Sequence, residues 1–167
     1  MPEAIITRGA AATAFVGGAL APLVEAGDVV LLTGDLGAGK TVFAKGLAEG
    51  LGISDPITSP TFNILLVHHG RLPLYHFDLY RLDGADQLED LDYWGTLEAD
   101  GISVVEWGDR FDEALPAAYL LVSVGIADDD VRRITWRAEG ARNADIARRW
   151  SGACEGLPGV RRERGEA

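Results

Sequence analysis

A single α/β domain built on a mixed, partly antiparallel sheet is predicted by three observations. The continuous apolar run Val29-Val30-Leu31-Leu32 passes through a glycine-rich turn into a segment of helical spacing. Two later runs, 62–68 and 72–79, are joined by the short turn His69-Gly70, as antiparallel strands are. A closing pair, 119–126 and 131–137, flanks Asp128-Asp129-Asp130 in the same way.

The elements follow in order. Residues 13–26 have helical spacing, with Phe15, Leu20, Leu23 and Val24 sharing an apolar side, and Gly27-Asp28 ends the run. Val29–Leu32 is uninterruptedly apolar, as a central strand buried on both faces must be. From Thr41 to Leu51 the spacing is helical again, with Val42, Phe43, Leu47 and Leu51 as core candidates and Gly52 placed to stop it. A polar, proline-containing loop (55–61) leads into the first hairpin, and 85–91 is a short acidic helix that 93–97 either continues or leaves as a loop. Residues 102–107 form another apolar strand. The domain is expected to span 1–142, with 143–167 a polar, Arg-, Glu- and Gly-rich segment whose last residues lack order.

The chain has 167 residues and 47% hydrophobic content, ample for one buried core. Acidic residues outnumber basic ones 26 to 15, and a formal net charge of -11 repels bare nucleic acid and anionic membranes. The most apolar stretch, 14–24, is too short to span a bilayer and is broken by Gly17, Gly18 and Pro22. Met1-Pro2-Glu3-Ala4 lacks the basic start of a signal peptide, so a cytoplasmic protein is expected. Cys154, the only cysteine, reads as a lone thiol near a mobile C-terminus.

Gly34-Asp35-Leu36-Gly37-Ala38-Gly39-Lys40-Thr41 meets every fixed position of G-x-x-x-x-G-K-[ST], a P-loop. A polyphosphate needs several converging N–H donors, and glycines let the backbone turn tightly and approach it. The helix that follows adds its positive N-terminal end. Lys40 supplies a mobile cation, and the Thr41 hydroxyl suits Mg²⁺. The chain has only two lysines, Lys40 and Lys45, among its 15 basic residues, so lysine stands where a compact point charge is needed. A guanine-reading Asn-Lys-x-Asp is absent, which favours ATP.

P-loop hydrolysis also needs carboxylates beside the loop. Ile102-Ser103-Val104-Val105 runs into Glu106 and Leu74-Tyr75-His76-Phe77 into Asp78; an ordinary solvent-facing strand end would read the same, and the pattern does not rank the two. Thr61, in Thr58-Ser59-Pro60-Thr61-Phe62, is either a nucleotide-sensing hydroxyl or part of a Ser-Pro turn. Trp107 packs in the core or lies against the base. His68, His69 and His76 have no metal-site spacing; His76 is a strand residue with scope for polar contact near Asp78. Arg132 and Arg133 read as a solvated strand pair.

Four ordered blocks carry a family resemblance: the loop at 34–41, Ser-Pro-Thr-Phe at 59–62, His-Phe-Asp-Leu-Tyr-Arg-Leu at 76–82, and Val-Glu-Trp at 105–107. Together they resemble the TsaE (YjeE) family of bacterial P-loop ATPases required for threonylcarbamoyladenosine modification of tRNA. The resemblance implies a P-loop NTPase-like fold, with ATP and Mg²⁺ as cofactors. It implies that Glu106 binds Mg²⁺ with Thr41, that Asp78 serves hydrolysis, that Thr61 belongs to a switch-like loop, and that Trp107 stands close to the nucleotide. It further implies action with TsaD and TsaB, tRNA being held by TsaD. Asp128-Asp129-Asp130 departs from a glycine–arginine pair common in the family, leaving Arg132 or Arg133 to supply that contact. Two other functions fit a P-loop chain of this length: a small-molecule kinase, which needs an acceptor pocket and an arginine-bearing lid, and a nucleotide-gated protein-binding switch.

Overall fold

The computed structural model describes residues 2–58, 60 and 63–165. Its elements are β1 (Ala4–Arg8), α1 (Ala10–Gly18), β2 (Val29–Thr33), α2 (Lys40–Gly50), β3 (Leu65–His69), β4 (Pro73–Asp78), α3 (Gln87–Asp90), α4 (Tyr93–Leu97), β5 (Ile102–Glu106), β6 (Tyr119–Ile126), β7 (Val131–Glu139), α5 (Ala141–Ala153) and β8 (Val160–Glu163). Eight strands form one sheet in the order β3-β4-β5-β2-β6-β7-β1-β8. The inner four, β4-β5-β2-β6, are parallel, and every pairing outside them is antiparallel. The mixed sheet is therefore a parallel centre with hairpins folded onto both sides.

Strand alternation sorts the core into two layers. Val30 and Leu32 of β2, with Val104 of β5 and Val122 of β6, face α1, α2 and α5. Val29 and Leu31 face the opposite layer, where α3, α4, Phe77 and Tyr93 pack. The central strands are thus covered on both sides, which is why their sequences are continuously apolar. Burying each such Val, Leu or Phe contributes about 1.5–3 kcal/mol before chain entropy is set against it.

Several boundaries differ from the sequence expectation. The first helix stops at Gly18 instead of continuing to Ala26, and a 3-10 turn with proline in its first turn covers Ala21–Leu23. Gly17 and Gly46 explain the glycines here: a Cβ on Gly17 would lie 2.1 Å from Phe43 O, and one on Gly46 1.9 Å from Ala14 O. They let α1 and α2 touch backbone to backbone. Phe15, assigned to the apolar side, is 45% exposed. Asp92, at φ 49, separates α3 from α4, and Trp107, at φ 59, ends β5 one residue early.

The larger difference is at the two ends of the chain. β1 was not expected, and the boundary at 142 falls inside α5. Far from being a tail, 143–165 contains most of a 13-residue helix and an edge strand. Trp150 is fully buried, donates from Nε1 to Val16 O at 2.9 Å, and meets Phe43 and Trp136 edge to face. Arg142 forks onto Asp28 at 2.8 and 2.7 Å. β8 pairs with β1, where Arg162 reaches Glu3. Cys154, read as a thiol near a mobile end, is fully buried, and burial pushes its pKa up to about 12.

Candidate functional site

Open parallel sheets bind ligands beyond the carboxyl ends of their strands, and here β2, β4 and β5 end together. β2 runs into the phosphate loop. Gly34 takes φ 139 where a Cβ would meet Val124 O at 2.3 Å, so the loop leaves the sheet against β6. Gly37 (φ 78) and Gly39 (φ 109) supply the left-handed turns that bring the backbone round to α2. Leu36 stands 66% exposed at the loop's outer rim, and Asp35 O accepts from the Ala38 N–H at 3.0 Å.

Lys40, at the first position of α2, is only 5% exposed. Its ammonium donates to Gly34 O at 2.6 Å and Asp35 O at 3.0 Å, and stands 4.4 Å from the centre of the Trp107 ring. Burial holds its pKa below 10.5, opposed by Glu106, Asp78, Asp35 and Asp109. Tyr80 lies beside Trp107, ring centroids 5.0 Å apart. The indole therefore sits over the Lys40 ammonium while also packing against the core layer of α3 and α4.

The two acids left unranked by sequence lie opposite each other. β4 and β5 pair in parallel with Asp78 against Glu106, and both are 3% exposed. Thr41 Oγ1 donates to Glu106 Oε1 at 3.1 Å. His76 closes on Glu106 Oε2 at 2.6 Å, so its polar contact is with Glu106, 30 residues away, and not with Asp78. Asp78 Oδ1 caps the Tyr80 N–H at 2.9 Å, and its own N–H donates to Ile64 O at 2.8 Å. Ile64 takes φ 65, a strained conformation for a β-branched residue, at the end of the loop that includes Thr61. Thr61 itself lies outside the described residues.

Lys40, Thr41, Asp78, Tyr80, Glu106 and Trp107 line one cavity of about 420 Å³, within the range of small-molecule sites. Thr41 and Glu106 offer hard oxygen donors at its floor, the type Mg²⁺ takes when phosphates and water complete its shell. Across the loop a second cavity of about 270 Å³ is lined by Gly9, Ala10, Thr13, Gly37, Ala38, Gly39, Val42, Asp129, Asp130 and Arg132. Arg132 staples the acidic turn to the loop, donating to Ala38 O at 2.8 Å and to Asp128 O and Asp129 O at 3.0 Å. Arg133 is bonded instead to Pro2 O and lies 3.5 Å from Glu163. Sequence reasoning missed Tyr80 and the His76–Glu106 contact; alternation along β4 put His76 and Asp78 on one face, which was the available signal.

This geometry matches known proteins. The sequence profile of the family described as "Threonylcarbamoyl adenosine biosynthesis protein TsaE" matches residues 7–134. The chain belongs to the TsaE family. A Treponema pallidum protein named "tRNA threonylcarbamoyladenosine biosynthesis protein TsaE" is 45% identical over 130 residues, 78% of this chain and 96% of that one. A Bacillus subtilis protein of the same name is 46% identical over 73% of this chain and 77% of its own length. The crystal structure of B. subtilis YdiB superposes with a TM-score of 0.76 at 36% identity, covering 90% of this chain and 95% of that one. The fold is thus a TsaE-type P-loop fold. No helix among the described residues is long and apolar enough to cross a membrane.

Proposed function

We propose that this TsaE-family chain is an Mg²⁺-dependent ATPase serving threonylcarbamoyladenosine modification of tRNA, with partners of the TsaD and TsaB kinds holding the tRNA. The observation that carries this reading is the convergence of Lys40, Thr41, Asp78 and Glu106 on one cavity beside the phosphate loop. The amides of 34–41 receive the phosphates, and Lys40 turns from Gly34 O to meet their charge. Thr41 and Glu106 would hold Mg²⁺, directly or through water, and the ion would supply charge neutralisation when bound. Asp78, directly across from Glu106, orients the attacking water and accepts its proton. Trp107 and Tyr80 shield the phosphate end from solvent. We place the nucleoside in the second cavity, between Ala10 and Thr13 on one side and Arg132 on the other. The names of the relatives support a role in tRNA modification, and the net charge of -11 agrees with leaving tRNA contact to partners.

Phosphate release, measured with the chain alone and with TsaD and TsaB, tests the reading. Slow release alone and faster release with partners is expected, with no acceptor molecule required. Asp78→Ala and Glu106→Ala should retain nucleotide binding while turnover falls about 10²–10⁴-fold, the usual worth of a positioned acid–base group. Wild-type turnover in either variant removes that residue from the mechanism, and release that depends on an added acceptor supports a small-molecule kinase instead.

A further inference from the structure

β4 and β5 place four side chains on the sheet face that packs against α2: His76 and Asp78 from one strand, Val104 and Glu106 from the other. Asp78 and Glu106 occupy paired positions, so two carboxylates share a buried spot beside the P-loop. His76 reaches diagonally across to Glu106 rather than along its own strand to Asp78. Its ring is fully buried on the sheet face that Leu74 and Val104 share, where an apolar side chain would be expected. Nε2 lies 2.6 Å from Glu106 Oε2, while Nδ1 is buried without a hydrogen-bond partner among the described residues. The ring's one polar bond therefore fixes the proton on Nε2, which donates to Glu106. The other carboxylate oxygen, Oε1, accepts from Thr41 at 3.1 Å. Glu106 is thus held from two sides, by α2 at one oxygen and by β4 at the other.

We propose that His76 is a positioning residue for the Mg²⁺ site. It anchors Oε2 of Glu106 so that Oε1 faces Thr41 and the metal, and it keeps the carboxylate from swinging toward Asp78. Carboxylates that serve a metal need such a partner because a freely rotating ligand must be ordered at each binding event. The inference rests on Glu106 acting on the metal side, as in the function proposed above.

Three substitutions separate donor from volume. In His76→Gln the amide nitrogen stands close to the position of Nε2; in His76→Asn it falls short, near Nδ1; His76→Phe fills the space with no donor. The readout is the affinity for a non-hydrolysable ATP analogue by calorimetry, taken as the ratio between Mg²⁺ and EDTA conditions, with circular dichroism verifying the fold. His76→Phe and His76→Asn should lose about 10–100-fold of that ratio, while His76→Gln stays within a few-fold of wild type. A wild-type ratio in His76→Phe overturns the proposal. So does an equal loss in folded His76→Gln and His76→Phe, since shape alone would then explain it. Glu106→Gln distinguishes the two layers of the argument. If it keeps the Mg²⁺ gain, the metal reading of Glu106 falls and the inference with it. If it loses the gain while His76→Phe keeps it, only the role of His76 falls.

Discussion

Lys40 is a buried ammonium bonded to two carbonyls of its own loop, on the wall of a cavity of about 420 Å³. Its burial is unfavourable on its own, and under the proposed function an anionic phosphate would offset that cost. Lys40→Met should therefore raise the melting temperature of the nucleotide-free protein while abolishing ATP affinity, seen by paired melts and calorimetry. A lower melting temperature would mean the two carbonyl bonds outweigh desolvation. The same burial sets a pH dependence. The folded protein binds this proton less tightly than the unfolded chain, so stability rises with pH through the window between the lowered folded value and 10.5. The contribution is absent from Lys40→Met, so the difference between the two melting curves should narrow across that window. Trp107 sharpens the residue-level reading. Sequence left it between core and base, but its left-handed backbone at φ 59 turns the indole over Lys40. That turn is a property of the strand end and leaves no periodic trace.

At the scale of elements, what was legible depended on whether an element's own pattern or its neighbours' dictated it. β2, α2, β5 and the β6–β7 hairpin carried their evidence within a few residues: apolar runs, a glycine loop, a turn. β1 and β8 did not. β8 reads Val160-Arg161-Arg162-Glu163, a polar stretch made a strand only by its register with β1 and by Arg162 reaching Glu3. α5 could have been read from Ile146, Trp150 and Cys154, spaced four apart on one buried face, yet its five-residue core stripe is diluted by arginines. The site followed the same rule. Positions within the loop were readable, whereas the pairing of Asp78 with Glu106 needed the sheet. The docking of α5 yields a prediction. Arg142 is half exposed but its partner Asp28 is buried, so Arg142→Ala should cost about 1–2 kcal/mol, the lower part of the range for a charge-assisted pair. Cys154, a thiol with its pKa pushed up to about 12, should resist alkylation in the native protein and react measurably faster in Arg142→Ala. Equal alkylation rates would show that Arg142 does not hold the helix down.

For the molecule as a whole, charge and connectivity are both uneven. Between Asp83 and Glu113 the chain has eleven acidic residues and one basic residue, so almost the entire net charge belongs to the segment carrying α3, α4 and β5. The opposite flank is closed by β7, β1 and β8, which interleave arginines with glutamates. A chain ended at residue 142 would lose β8 and nearly all of α5, baring the edge of β1 and the pocket that Trp150 fills. Such a truncation should elute as aggregate by size-exclusion chromatography, because an unprotected edge strand beside exposed apolar surface pairs with other chains. A monomeric, ATP-binding truncation would place the folding unit within 1–142.

The position of β1 between β7 and β8 also sets a timetable. Ile5 pairs with Ile134 on one side and Arg162 on the other, so β1 gains its second neighbour only after every other strand of the sheet has been made. At 5–20 residues per second, the roughly 150 residues between β1 and β8 take on the order of 8–30 s to appear. Ile5 waits for β7, and Ala4 and the face of α1 that will receive Trp150 wait longer, for β8 and α5. β2 and its neighbours β5 and β6 are complete by residue 126, so the parallel centre that carries the 34–41 loop is made before this edge is closed. For this fold, the ribosome finishes the lock before the keyhole closes.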